Sequence, residues 1–287
     1  MKKRLLIILM SLSLFLTGCF KKDDLEDITI YTTVYPIEYI TTMLYGEHST
    51  IYNIYPNGVN PNTYELTNKQ IKDYSKSNMY IFNGFSNEKD LVQKMFKYNK
   101  NLMIIDATQT MEYTYSVEEL WLVPSNFLMM ALNVKNGLNE YIENHYLKNE
   151  IEENYKNLKV QISNIDAKLK LLSENSTNKT IVVDKNLFKY LEKYGFTVIS
   201  LEEGDTLTDK VINDVKKLID EGVIQYIFTT DENKINNTVK KIVNETDVSL
   251  LTLDTISNLN EKQRQSKEDY ISILNENIEQ LKNELYD

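Results

Sequence analysis

The stretch from Ser125 to Glu174 most constrains the fold, because it contains no proline and a single glycine, Gly137. Within it Leu147, Ile151, Tyr155, Leu158, Ile162, Ile165 and Leu169 return at steps of three and four residues. That period marks one face of a long helix. Nothing in the stretch alternates as a strand does. It reads as a rigid helical connector rather than a flexible linker, with a separate folding unit on each side.

Both flanks alternate short apolar runs with amphipathic segments. In the first half, Ile28–Thr33, Ser49–Tyr55, Met79–Asn83 and Leu102–Asp106 read as strands. Helices are expected over 37–45, from Thr67 to 77 and over 88–98, the second opened by the capping box Thr67–Gln70. In the second half, strands are expected over 180–183, 197–200, 224–229 and 249–253. Helices lie between them over 187–194, 208–221 and 233–244, and a last amphipathic helix covers 267–284. Strands separated by helices argue for parallel βαβ units. The expected class is therefore α/β: two lobes of parallel βαβ units joined by a long rigid connector helix.

The amino terminus carries a different signal. Lys2, Lys3 and Arg4 precede an apolar run from Leu5 to Leu16, and Leu16-Thr17-Gly18-Cys19 has the form of a bacterial lipobox. The run is about twelve residues long, short of the roughly 20 that span a bilayer. Residues 1–18 read as a signal peptide and 19–26 as a lipidated tether. Residues 27–124 form an N-terminal α/β lobe, 125–176 the connector, and 177–287 a C-terminal α/β lobe. Acylation of Cys19 would hold the protein on the extracytoplasmic face of the cell membrane, with Lys21 and Lys22 adding attraction to anionic headgroups. Cys19 is the only cysteine, so disulfides and thiolate metal sites are excluded. Loss of Lys2, Lys3 and Arg4 with the leader takes the net charge from −10 to −13. So acidic a surface repels phosphate and argues against nucleic acid.

Several segments, taken in order, resemble the zinc and manganese ABC-importer binding lipoproteins, the cluster A-I family. Ile30-Tyr31-Thr32-Thr33-Val34-Tyr35-Pro36 is similar to that family's opening strand. Gly58-Val59-Asn60-Pro61-Asn62-Thr63-Tyr64-Glu65 matches the loop that carries its first metal-binding His. Tyr80-Ile81-Phe82-Asn83-Gly84 matches a strand ending in Asn-Gly. Leu120-Trp121-Leu122-Val123-Pro124 resembles the segment holding the second His. Lys185 to Leu191, followed by Tyr194-Gly195, is similar to the segment of the third ligand, and Leu251-Thr252-Leu253-Asp254 to that of the fourth.

The resemblance implies a cleft at Asn62, Glu119, Lys185 and Asp254, with Glu65 set to orient Asn62. It also implies zinc or manganese as the transported ion, and a permease with its ATPase as partners of a monomeric protein. The residues at those positions depart from the family. Asn62 is a neutral amide and a poor zinc ligand, and a protonated Lys185 has no lone pair. Glu119 and Asp254 remain able to bind a cation. A divalent ion 4 Å from the Lys185 ammonium would be opposed by roughly 8 kcal/mol at an effective dielectric near 20. The expectation is that this ammonium stands in the ion's place and pairs with Glu119 and Asp254. The family's His-rich loop has no counterpart here, since Thr108–Glu118 holds no histidine, and His48 and His145 lie away from these segments as surface residues. Trp121 and the scattered tyrosines Tyr35, Tyr64, Tyr80, Tyr113 and Tyr115 could stack on an organic ligand in the cleft, although core or hinge packing is the commoner role of such residues.

Two functions follow. The first is a membrane-anchored solute-binding lipoprotein of an ABC importer, with metal binding weakened or lost. The alternative is a surface adhesion or accessory scaffold built on the same fold. Catalysis is not expected, because no nucleophile is paired with a histidine and no glycine loop is built to cradle phosphate.

Overall fold

Parallel strands buried on both faces need near-continuous apolar runs, and Met79–Phe82 and Thr180–Val183 supply them. The computed structural model describes residues 25–286, so the leader and Cys19 lie outside the described residues. Eight strands form two parallel sheets. The first holds β1 (Ile28–Thr32), β2 (Ser49–Asn53), β3 (Met79–Phe82) and β4 (Met103–Asp106) in the order β2-β1-β3-β4. The second holds β5 (Thr180–Val183), β6 (Thr197–Ser200), β7 (Tyr226–Thr229) and β8 (Ser249–Thr252) in the order β6-β5-β7-β8. The same winding is used twice. In each sheet the connections leave in opposite directions between the two central strands, and such a reversal opens a crevice at the strands' carboxyl ends.

The first sheet is wrapped by α1 (Tyr35–Tyr45), α2 (Asn68–Tyr74) and α3 (Glu88–Phe96). Helix α1 starts two residues before its expected position because Pro36 is tolerated in the first turn. The capping box predicted at Thr67 and Gln70 is present in full. After the short α4 (Glu119–Leu122), the expected connector is two helices, α5 (Pro124–Tyr141) and α6 (His145–Asn175). Helix α5 packs on α1 and β4. A Cβ on Gly137 would meet the Ile105 side chain at 2.7–2.9 Å, so only glycine lets this helix lie so close to β4. The chain turns at Ile142–Asn144, where the Asn144 side chain accepts from the Tyr146 amide at 2.8 Å and restarts the helix. Helix α6 has 31 residues, about 46 Å of rod at 1.5 Å per residue. Its buried stripe includes six of the seven predicted positions, Tyr155 being half-buried.

The second sheet is flanked by α7 (Asp209–Asp220) and α8 (Asn237–Glu245). A 3₁₀ segment, Asn186–Tyr194, takes the place of an expected α-helix and ends at Gly195, whose φ is 91°. Helix α9 (Glu261–Gln265), not expected from the sequence, precedes α10 (Tyr270–Leu285). Helix α10 packs along α6. Its first residue reaches the other lobe: the Tyr270 ring stacks on Phe127 of α5 at 4.0 Å and on Tyr39 of α1 at 5.5 Å. One continuous core therefore runs from Leu25 to Leu285 through both lobes, with a smaller apolar cluster on the far side of each sheet. Among the described residues no helix is long and apolar enough to cross a membrane.

Candidate functional site

The loop Pro56–Glu65 leaves β2 at its carboxyl end. Gly58 turns it with φ 73° and donates its amide to the Leu259 carbonyl at 2.9 Å. Asn60 Oδ1 accepts from the Asn62 amide at 2.9 Å, a side-chain turn that exposes the Asn62 side chain. That side chain donates to Glu118 Oε1 at 3.3 Å rather than meeting Glu65. Glu118 is buried, and its other oxygen accepts from the Ser116 hydroxyl.

Glu119 has a different task. It is buried, and its oxygens accept from the amides of Thr114 at 3.1 Å, Tyr115 at 2.6 Å and Ser116 at 3.1 Å. Three backbone donors thus fold the turn before α4 around this carboxylate. The residue facing Asn62 is Glu118, one position earlier, which the sequence reading missed. Spacing from Trp121 pointed to Glu119, and only the direction of each side chain out of the turn separates these neighbours.

Lys185 lies just past β5, at the crevice of the second sheet. Its ammonium donates to Thr230 Oγ1 at 2.8 Å. The neighbouring Asp184 is buried, with one oxygen accepting from Thr229 Oγ1 at 2.6 Å and the other, Oδ1, unpaired. Burial raises the Asp184 carboxyl above the usual range, against the opposing pull of the Thr229 hydroxyl and the Lys185 charge. Asp254, just past β8, accepts from the Ile256 amide at 2.6 Å and from Gln263 Nε2 at 2.7 Å. Its backbone is clasped by the Asn277 side chain through two bonds of 2.8 Å.

The expected pairing of Lys185 with Glu119 and Asp254 is therefore absent. Both carboxylates are satisfied by nearby amides that the local fold presents without moving a long side chain, and the ammonium finds a hydroxyl instead. Asn62 lines a cavity of about 670 Å³ on the first lobe, and Asp254 lines one of about 390 Å³ on the second. Among the described residues no group of three or more His, Cys, Asp or Glu side chains is disposed to hold one ion. His145 is an exposed first residue of α6, whereas the half-buried His48 contacts Glu150 at 2.9 Å and ties the first lobe to α6.

The segment after Asp254 fastens the lobes to each other. Trp121 Nε1 donates to the Thr255 carbonyl at 2.7 Å, and the Tyr35 amide to the Ser257 carbonyl at 2.9 Å. Asn258 donates to the carbonyls of Pro56 at 2.7 Å and Val59 at 3.0 Å, pinning the start of the cleft loop. Arg264 reaches Asn57 at 2.9 Å and forms a forked ion pair with Glu38. Within this segment Ile256 is buried with φ 58°, a backbone region that costs a β-branched residue roughly 1–3 kcal/mol. The Asp254 carboxylate on its amide helps to hold that conformation.

Two parallel four-stranded sheets, fastened to each other and braced by one long helix, have the two-lobed α/β architecture of the cluster A-I binding proteins. The family model described as zinc-uptake complex component A, periplasmic, matches residues 30–284, and the chain belongs to that family. Among curated relatives, the zinc-binding protein AdcA of Streptococcus pyogenes serotype M1 is 22% identical over 326 residues, covering 98% of this chain. The chain spans only 61% of that relative's length. The metal ABC transporter substrate-binding lipoprotein SloC of Streptococcus mutans is 24% identical, with 99% of each chain covered. Of the solved structures, the Zn(II)-bound ZnuA-like domain of Streptococcus pneumoniae AdcA superposes with a TM-score of 0.73. It is 18% identical and covers 91% of this chain and 100% of its own. The laminin-binding protein Lbp of Streptococcus pyogenes gives 0.70 at 16% identity, with 91% and 99% covered.

Proposed function

We propose that this chain is the extracytoplasmic binding component of an ABC importer, of zinc- or manganese-binding ancestry, with its own hold on these ions weakened. The leader directs export, an acyl group on Cys19 tethers the protein to the membrane, and a permease with its ATPase receives the cargo. The names of its relatives support the importer role, since AdcA is a zinc-binding protein, and SloC and the MntA lipoprotein of Halalkalibacterium halodurans are named for metal transport and manganese binding. One observation carries the weakened grip. At the four ligand positions stand an amide, an ammonium, and two carboxylates whose oxygens already accept from backbone and amide donors.

The test is elemental analysis of the stripped protein after exposure to zinc or manganese, paired with melting curves. Substoichiometric metal and a shift of under about 1 °C at ion concentrations that saturate tight binders are expected, because only a ligand bound to the native state raises the melting point. Stoichiometric, tight binding of either ion would refute the weakened grip and leave the importer reading standing. A non-transporting surface scaffold is the second reading, favoured by the direct bonds that fasten one lobe to the other. A gene for a matching permease beside this one supports the importer; neighbouring adhesin genes support the scaffold.

A further inference from the structure

The cavity of about 670 Å³ on the first lobe lies between the loop after β2 and the loop leading into α3, at the carboxyl ends of the strands on either side of β1. Parallel sheets present ligands at that edge, and the volume suits a small molecule. Three aromatic residues, Tyr55, Tyr64 and Phe85, are among its lining. The rings of Tyr55 and Tyr64 stand at 89° with centroids 6.1 Å apart, forming a corner. Phe85, 43% exposed, closes a further side and is braced edge-on by Tyr113 at 5.4 Å.

The ionised rim of the lining is net acidic, with Glu65 and Asp90 against Lys94, while burial raises the Glu88 carboxyl to about 7. Glu65 and Asp90 stand exposed at the rim, and the buried Glu88 lies in the floor, where it accepts from Tyr55 Oη at 3.0 Å and from the Asn83 amide at 2.9 Å. Lys94 is the single cationic residue lining the cavity. Ring faces carry negative potential and attract cations, most strongly those that shed water easily. Carboxylates beside them add to that attraction and repel anions. A neutral sugar could stack on the rings and donate its hydroxyls to the rim carboxylates, but it would bring no charge to balance them.

We propose that this cavity is a second ligand site, taking a small alkylated or multiply charged organic amine against Tyr55, Tyr64 and Phe85, with Glu65 and Asp90 as counter-charges. The site shares Asn62 and Glu65 with the implied metal cleft, but none of Glu119, Lys185 and Asp254 lines it, and titration of the metal-stripped protein keeps its outcome separate from that of metal analysis.

The experiment is calorimetric titration of the metal-stripped whole chain in mild detergent with tetramethylammonium chloride and with spermidine, against sodium chloride of matched ionic strength and against glucose. Saturable binding of at least one amine is expected, in the millimolar range or tighter, weakened by about tenfold in Tyr64→Ala and in the double variant Glu65→Gln/Asp90→Asn. These side chains are exposed or half-exposed, and unchanged circular dichroism checks that the fold survives. Glu221→Gln, an acidic change far along the second lobe, is expected to leave binding intact. No saturation with either amine, an equal loss in Glu221→Gln, or binding of glucose in place of the amines would each overturn the proposal.

Discussion

Arg264 donates to both carboxylate oxygens of Glu38, at 2.5 and 2.8 Å, and so joins the segment that follows the second sheet to the first helix of the first lobe. The pair is partly buried, and the Arg264 guanidinium also lies 5.4 Å from the Tyr35 ring. A forked guanidinium–carboxylate contact is stronger than a point-charge pair. Arg264→Lys keeps the charge but loses the fork, the ring contact and the Asn57 bond. The expected loss is about 1–2 kcal/mol, read from urea unfolding, with faster amide exchange in residues 56–62 than in the wild type. Unchanged exchange in that loop would show that the clasp does not depend on this pair.

Glu88 gives stability a pH dependence whose sign can be worked out. Burial raises its carboxyl from 4.5 to about 7 in the folded protein, despite bonds from the Asn83 amide and the Tyr55 hydroxyl. Near it lie Tyr55 and Tyr80, both themselves pushed up by burial. Between pH 4.5 and 7 the folded state therefore keeps a proton that the unfolded state has lost. Its contribution is fully present below the unfolded value and is lost as pH rises through the folded one, a difference of about 3 kcal/mol. Glu88→Gln is expected to flatten this slope, so that the variant gains on the wild type between pH 5 and pH 8 in chemical denaturation. A variant whose stability relative to wild type is the same at both pH values would contradict the buried proton.

The contact between Gly137 and Ile105 fixes how closely α5 approaches β4. Adding one methyl in Gly137→Ala puts it within 3 Å of the Ile105 side chain. Overpacking of this kind costs about 1–3 kcal/mol, more than the helix propensity that alanine gains. Ile105→Ala in the same chain removes all three of the carbons that the added methyl would meet. The loss in the double variant is expected to be smaller than the sum of the two single losses, and additivity of the two single changes would argue against a direct clash.

Much of this architecture was legible in the residues. Strand positions followed from short apolar runs, helix starts from Thr67 and Thr208, and the long helix from the repeat between Leu147 and Leu169. The break at Ile142–Asn144 was not, because the apolar period continues across it and neither proline nor glycine marks the turn. Nor was the return of Tyr270 to the first lobe, since stacking between residues more than 100 positions apart leaves no local pattern. At the cleft the loops and their order could be read, but the partners could not. Glu118 and Glu119 are chemically identical, and the fold decides that one faces Asn62 while the other caps a turn. The segment from Thr255 to Arg264 carried no sequence signal of a clasp, because most of its bonds are to backbone carbonyls that any residue offers.

Lys185 offers the sharpest test of what limits ion binding. If its charge were the whole obstacle, Lys185→Ala would remove an opposition of roughly 8 kcal/mol and restore tight zinc binding. The geometry predicts otherwise. Glu119 is held by three amides and Asp254 by an amide and Gln263, and recruiting either would break those bonds and release the turn or the strained Ile256 backbone. Each such loss costs about 1–3 kcal/mol. Lys185→Ala is therefore expected to bind zinc no better than micromolar in competition with a chelating dye. Asn62→His added to Lys185→His supplies two neutral imidazoles and is expected to improve affinity by at least about tenfold over Lys185→Ala, since zinc favours such donors. Nanomolar zinc binding in Lys185→Ala alone would mean that Glu119 and Asp254 leave their present partners readily, and that the ammonium alone had kept the ion out.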